Sequence, residues 1–144
     1  MEDENNFDKA RDAVQDGLAE GLVELHTDTL NTLDKNMRQG KDALGNSWAP
    51  LDESTVAAKG HSTPLIETST LRSDLQATSQ VYPSRLTAVI GSTLDYLVHH
   101  EFGAPAAGIP PRPILAPAAR YAEKRAPDVI GSEIDARLDQ AEVD

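Results

Sequence analysis

Apolar residues recur every three or four positions between about residues 7 and 39. Val14, Leu18, Leu22, Leu25, Leu33 and Met37 mark the stripe, with Thr29 at the missing step and Leu30 widening it. That spacing holds them on one side of a 3.6-residue turn and predicts a long amphipathic N-terminal helix. Gly40 is placed to end it, because glycine enters the left-handed conformation that closes a helix without steric cost. Residues 1–6 are acidic and polar and are expected to be disordered. Gly17 and Gly21 fall inside the helix, where each costs about 1 kcal/mol relative to alanine. Either they are simply tolerated, or another helix or strand approaches closely there.

Beyond residue 40 the helical period stops. Gly40, Gly45, Pro50, Gly60 and Pro64 break residues 40–67 into an extended loop, with room for one helical turn at 53–59. A short helix over 71–75 is followed by strands near 76–82 and 85–91. In the second, Leu86, Ala88 and Ile90 alternate with Thr87 and Val89, and Pro83-Ser84 makes the tight connection of a β-hairpin. A helical turn is expected over 94–101, with Tyr96, Val98 or His99, and Phe102 sharing a face and Gly103 as its stop. Four prolines between Ile109 and Pro117 remove backbone donors and fix φ, forcing an extended or edge-strand path. A last helix is expected from near Pro117, interrupted at Pro127 and resumed through Ile130, Ile134, Leu138 and Ala141. The sum is an α+β fold in a single domain over 1–144: a long N-terminal helix and a C-terminal helix packed on a small antiparallel sheet.

Composition changes this picture in two ways. Hydrophobic residues are 39% of the chain but aromatics only 4%, so a monomer has few large anchors and burial in an oligomer would add to its packing. The formal net charge is -11, which argues against free nucleic-acid binding and against an anionic membrane, since both require clustered Lys and Arg. No apolar run is long enough to span a bilayer, and the charged start Met1-Glu-Asp-Glu is not a signal peptide. The acidic excess reads either as a solubilising surface or as adaptation of a halophilic source to molar salt. With no cysteine, disulfides and thiolate metal sites are excluded.

The residues that could carry chemistry do not assemble into a motif. His26, His61, His99 and His100 lack the spacing of a metal-binding helix, and consecutive His99-His100-Glu101 side chains diverge. Gly40-Lys41 has neither the upstream glycine nor the following hydroxyl of a phosphate-binding loop. Ser47, Ser54, Ser62 and Ser69 lack a nucleophile-elbow context. The carboxylates are scattered. No catalytic, cofactor or metal site is expected, and the chain reads as a non-enzyme.

Several segments, taken in order, resemble the virion morphogenesis or tail-completion proteins of tailed viruses. Gly45-x-x-Trp48-x-x-Leu51, with Thr55 and Lys59, is similar to the family's "G-x-x-W-x-x-L…T…K" segment. Pro64-Leu-Ile-Glu-Thr-Ser-Thr-Leu-Arg72 is similar to "L-I-x-T-G-x-L-R", with Ser69 where glycine is usual. Val89-Ile-Gly91 stands where the family has "V-x-I-G". Tyr96-Leu-Val-His-His-Glu-Phe-Gly103 then precedes Ile109-Pro-Pro-Arg-Pro-Ile-Leu-Ala-Pro-Ala118. The match covers roughly residues 45–118.

This resemblance implies a structural virion protein of the neck or tail-completion ring, which completes the tail or joins it to the head connector. Its expected partners are copies of itself in a ring, hexameric by resemblance, together with neighbouring connector, tail-tube or tail-terminator proteins. DNA would pass through the channel without specific binding, and the expected location is the virion. Expected interaction residues are Trp48 and Leu51 on the loop, Glu101, Phe102 and Gly103 fixing a turn, and Arg112 with Pro113 on the proline-rich segment. Trp48 either pins the loop to the body or contacts a partner. Arg112 forms an ion pair or backbone hydrogen bonds, or reaches a carboxylate across a subunit boundary. The alternative is a non-viral interaction module, a dimeric regulatory or toxin–antitoxin-type protein.

Overall fold

The computed structural model describes residues 2–50, 69–95 and 97–141. In chain order its elements are helix α1 (Glu2–Met37), helix α2 (Ser69–Thr78), strands β1 (Gln80–Tyr82) and β2 (Thr87–Val89), helix α3 (Leu97–Phe102) and helix α4 (Leu115–Gln140). The class is α+β, with long N- and C-terminal helices packed together and a two-stranded antiparallel sheet. Length alone suggests one domain; the described residues group into two compact units. The first holds α1 up to Asp28, Gln80–Val89 and α4 from Ala122; the second holds the described residues of Thr29–Ser79 and Ile90–Tyr121.

In the first unit, Gly17 and Gly21 are the reason that two helices can pack. A Cβ on Gly17 would come within 2.7 Å of the Ile134 Cα, and one on Gly21 within 2.8 Å of the Ile130 Cα. Because 17 pairs with 134 and 21 with 130, the helices run antiparallel. Close approach of a second helix is therefore what these glycines permit. Pro127 does not interrupt α4, contrary to expectation. A proline removes one intrahelical bond, but the flanking turns carry the isoleucines that pack on α1 and keep the helix continuous. Arg125 pairs with Asp28 at 3.3 Å. In the hairpin, Gln80 opposes Val89, Val81 opposes Ala88 and Tyr82 opposes Thr87. It is tied to α1 by His26, whose Nε2–H donates to the Val89 carbonyl (3.2 Å).

Both strands are shorter than the pattern suggests. Residues 76–78, expected in the first strand, continue α2 instead. Pro83–Arg85 forms a single 3-10 turn between the strands. At the other end of the chain, α1 begins at Glu2, so the expected disorder of residues 1–6 is replaced by helix from residue 2.

The second unit contains the larger core. Leu33 and Met37 of α1, Ala43, Trp48, Leu71 and Leu75 of α2, Leu97 of α3, Ile114 and Ala118 form one buried cluster. Gly40 closes α1 with φ +73, as its position predicts. The segment after it is folded rather than extended. Lys41 bridges to Ser47, the Asp42 carboxylate accepts the N–H groups of Leu44 (2.9 Å) and Asn46 (3.0 Å), and the Asn36 side chain donates to the Asp42 carbonyl (2.9 Å). The remainder of the expected loop, 51–67, with the helical turn at 53–59, lies outside the described residues.

Candidate interface site: the Glu101–Arg112 junction

The proline-rich segment after residue 109 supplies few backbone donors, so other groups must hold it. Ala104 and Ile109 exchange backbone hydrogen bonds (2.8 and 3.0 Å), closing a short loop that carries the 3-10 turn Pro105–Ala107. At its base Gly103 has φ +75, and a Cβ there would come within 2.9 Å of the Pro111 nitrogen. Glycine is required on both counts. The Arg112 N–H, one of the segment's remaining donors, bonds to the His100 carbonyl (2.6 Å).

Three side chains lock this segment in place. The Glu101 carboxylate accepts three backbone N–H groups at the start of α4: Ile114 (2.8 Å) and Leu115 (2.7 Å) on one oxygen, and Ala116 (3.1 Å) on the other. It thus serves the helix's unpaired donors and places negative charge at the positive end of its dipole. The proline-rich stretch is correspondingly shorter than expected, because α4 starts at Leu115, ahead of Pro117. Proline is tolerated in a first helical turn, where the backbone N–H has no intrahelical partner. The Arg112 guanidinium, itself buried, donates from Nε to the Ala49 carbonyl (2.8 Å) and from an Nη to the Pro50 carbonyl (3.1 Å). Burial pulls its pKa below the ordinary arginine value. Trp48, buried too, donates its indole N–H to the Pro113 carbonyl (2.9 Å).

The structure therefore brings Trp48, Glu101, Gly103, Arg112 and Pro113 to one junction. Trp48 pins the 48–50 segment, and Arg112 uses backbone hydrogen bonds within its own chain. Phe102 is the exception. It is 76% exposed, and with Val98 one turn earlier it faces solvent, while Leu97 is the buried residue of α3. It does not fix the turn. Leu51 and Tyr96 lie outside the described residues.

Two further polar centres brace the second unit, and neither was picked out by local pattern. Arg72, from the "L-R" end of the second motif, pairs with Asp34 at 2.9 Å; Arg38 shares the same carboxylate at 3.1 Å. These three line a surface cavity of about 490 Å³ with Ser73, Gln76 and Ala77. Asp74 of α2 accepts hydrogen bonds from the Ser92 hydroxyl and from both the N–H and hydroxyl of Thr93 (2.7 Å each). The Ser92 and Thr93 bonds lower its pKa to about 2. The Gly91 N–H donates to the Ser79 hydroxyl at 3.2 Å. Asp74 was missed because its partners are 18 and 19 residues away, beyond any helical or strand spacing. Among the described residues, no group of three His, Cys, Asp or Glu is arranged to hold a metal ion, and no helix is long and apolar enough to cross a membrane. Comparison with known protein families, curated proteins and solved structures finds no match to this chain.

Proposed function

We propose that this chain is a structural protein of the neck or tail-completion ring of a tailed virus, completing the tail or joining it to the head connector, and that it performs no catalysis. The observation that carries the reading is the fate of the motif residues. Gly45, Trp48, Leu71, Arg72, Gly91, Gly103 and Arg112 come from separate segments in the family's order. Each has a defined place in the second unit: a positive-φ turn, the core, a hydrogen bond that fixes backbone or, for Arg72, an ion pair with Asp34. The resemblance thus rests on residues that hold one fold together.

In this reading the partners are further copies of the chain in a ring, six by resemblance, stacked between the connector and the tail tube or terminator. The net charge of -11 lets DNA phosphates slide past rather than adhere. A reconstructed ring with a neutral or basic inner wall would remove that channel argument and leave the acidity to a halophilic surface. The decisive experiment is a nonsense codon early in the gene, followed by negative-stain electron microscopy of infected-cell lysates. DNA-filled heads beside separate or malformed tails are expected. Normal infectious particles would sink the proposal and return the chain to a dimeric interaction module.

A further inference from the structure

The surface cavity between α1 and α2 is a cationic site on an acidic chain. Its two arginines divide one carboxylate. Arg72 Nε reaches one oxygen of Asp34 at 2.9 Å, and Arg38 reaches the other through Nε (3.2 Å) and an Nη (3.1 Å). Each guanidinium carries five N–H donors, and among the described residues Asp34 is the acceptor both of them use. Two positive charges against one negative leave the site cationic, with N–H groups to spare. The Arg38 side chain is 60% exposed at the rim and that of Arg72 only 16%. Arg72 also lies in the first turn of α2, where the helix dipole disfavours a cation, so Asp34 holds it there against that field. Ser73 and Gln76 add polar lining, and the Gln76 amide is fixed by donating to the Leu30 carbonyl (3.3 Å).

Forked N–H groups of this kind select a planar oxyanion. DNA phosphate is opposed by the net charge of -11, whereas carboxylates are abundant on the chain itself and unevenly placed. The ranges of the first unit, residues 1–28, 80–89 and 122–144, hold sixteen Asp or Glu against six Lys or Arg. Those of the second, residues 29–79 and 90–121, hold eight against seven. Two copies meeting through their first units therefore repel. The second unit of one copy, near neutral and carrying this cavity, is attracted to the first unit of another. Such a contact is heterologous, the kind that generates rings.

The first unit presents its carboxylates in a regular row. Asp8, Asp12, Asp16, Glu20, Glu24 and Asp28 fall at every fourth position of α1, which sets successive members about 5–6 Å apart along one ridge. The ends of the row have cations of their own: Arg11 stands 3.5 and 3.6 Å from Asp8 and Asp12, and Arg125 3.3 Å from Asp28. The middle is different. Among the described residues Asp16 and Glu20 have no ion-pair partner, and Glu24 meets Glu133 of α4 instead. A hydrogen bond with the Glu133 carboxyl, partial desolvation and the charges of Glu133 and Glu20 raise the Glu24 pKa, and Arg137 offsets this only in part. Arg137 itself lies 3.7 Å from Glu133. Glu20 and Glu24 are thus a carboxylate pair short of cations, one helical turn apart, and Arg38 and Arg72 are a guanidinium pair short of an anion.

We infer that the Asp34–Arg38–Arg72 cavity is a carboxylate-binding site and that its ligand is the Glu20–Glu24 pair of a second copy of this chain. This deepens the ring reading and rests on it for the closure of the contact. Arg38, Glu20 and Glu24 are all exposed, so their charges can be reversed without disturbing the core. In sedimentation velocity at low salt, Arg38→Glu alone is expected to weaken self-association about three- to tenfold, as is Glu20→Arg with Glu24→Arg. All three combined in one chain are expected to return it to within about twofold of the parent. Asp8→Arg with Asp12→Arg, the same change in net charge at the paired end of the row, is expected not to weaken it. Because the chain has no cysteine, engineered pairs report the contact directly. Arg38→Cys and Glu24→Cys chains, mixed under mild oxidation, are expected to give a covalent heterodimer, while Arg38→Cys with Ser84→Cys gives little. Inorganic phosphate, titrated at constant ionic strength, probes for a free anion in the cavity and is expected to compete with self-association.

The inference is overturned if reversing Glu20 and Glu24 weakens association no more than reversing Asp8 and Asp12, or if the reversals add instead of compensating. It is also overturned if Arg38→Cys couples equally to Ser84→Cys, or if the parent chain neither associates nor cross-links. Phosphate bound through Arg38 in a chain whose association ignores Glu20 and Glu24 would make the cavity a site for a free anion and overturn it as well. Failure here with separate heads and tails in the nonsense phage removes only this contact; normal particles from that phage remove the ring reading itself.

Discussion

Replacing Glu101 by alanine tests the junction at its most heavily used side chain. The carboxylate accepts three N–H groups, and their fates on truncation differ. Ile114 is fully buried, so its N–H has no access to water and loses a partner outright, at about 1–3 kcal/mol. Ala116 is exposed and Leu115 half-buried, so water replaces those bonds in part, at about 0.5–1 kcal/mol each. Loss of negative charge at the helix start adds about 0.3–1 kcal/mol. These contributions share one group and do not sum fully, which gives an expected loss of roughly 2–4 kcal/mol, against about 0.5 kcal/mol for an ordinary surface carboxylate.

Trp48 makes the measurement specific. It is the only tryptophan, it is buried in the second unit, and it bonds to Pro113 beside the capped helix start. Urea unfolding followed by its fluorescence reports the unit that contains Glu101. With a slope of about 1–3 kcal/mol per molar for a chain of this size, the midpoint is expected to fall by about 1–3 M. Glu101→Gln keeps an acceptor oxygen without the charge and should recover about half of the loss. A Glu101→Ala midpoint and slope matching the parent, within about 0.5 kcal/mol, would refute the capping role and with it the account of why α4 starts at Leu115.

Two further substitutions probe other parts of the fold. Gly21→Ala and Gly17→Ala should each lower the thermal midpoint by circular dichroism. The gain of about 1 kcal/mol in helix propensity is opposed by backbone atoms of α4 at 2.8 and 2.7 Å from the added Cβ, and overpacking typically costs about 1–3 kcal/mol; a stabilised variant would show that the helices separate freely. Asp74 has its folded pKa lowered to about 2 from 3.8 by the Ser92 and Thr93 hydrogen bonds, so its contribution is present above about pH 4 and is lost as pH falls towards 2. Asp74→Asn should therefore narrow the gap between neutral and acid stability in denaturation curves; an unchanged gap would exclude these bonds as its source.

The chain's local patterns were enough for its helices and their punctuation. A sustained 3.6-residue period marks α1, and Gly40, with its positive φ, ends it where expected. Gly103 is likewise legible, since a glycine closing a helix before a proline-rich segment has few conformational choices. The hairpin follows from alternation around Pro83, although α2 claims residues 76–78 because continuing a helix keeps Leu75 in the core and Asp74 facing Ser92 and Thr93.

Tertiary structure alone decided the rest. Period and propensity say which side of an element is apolar, but they carry no record of what meets it many residues away. Glu101 reaches donors 13–15 residues on, Arg112 reaches carbonyls 62–63 residues back, and Trp48 finds Pro113 at a separation of 65. The same limit explains two of the readings that changed. Pro127 breaks a helix considered in isolation, yet α4 continues because Ile130 and Ile134 pack against the glycines of α1. Phe102, expected to help fix the turn with Glu101 and Gly103, faces solvent instead because α3 turns Leu97 inward. Sequence determined the elements and their ends; the partners of each polar group were settled by distances that exist only once those elements have packed.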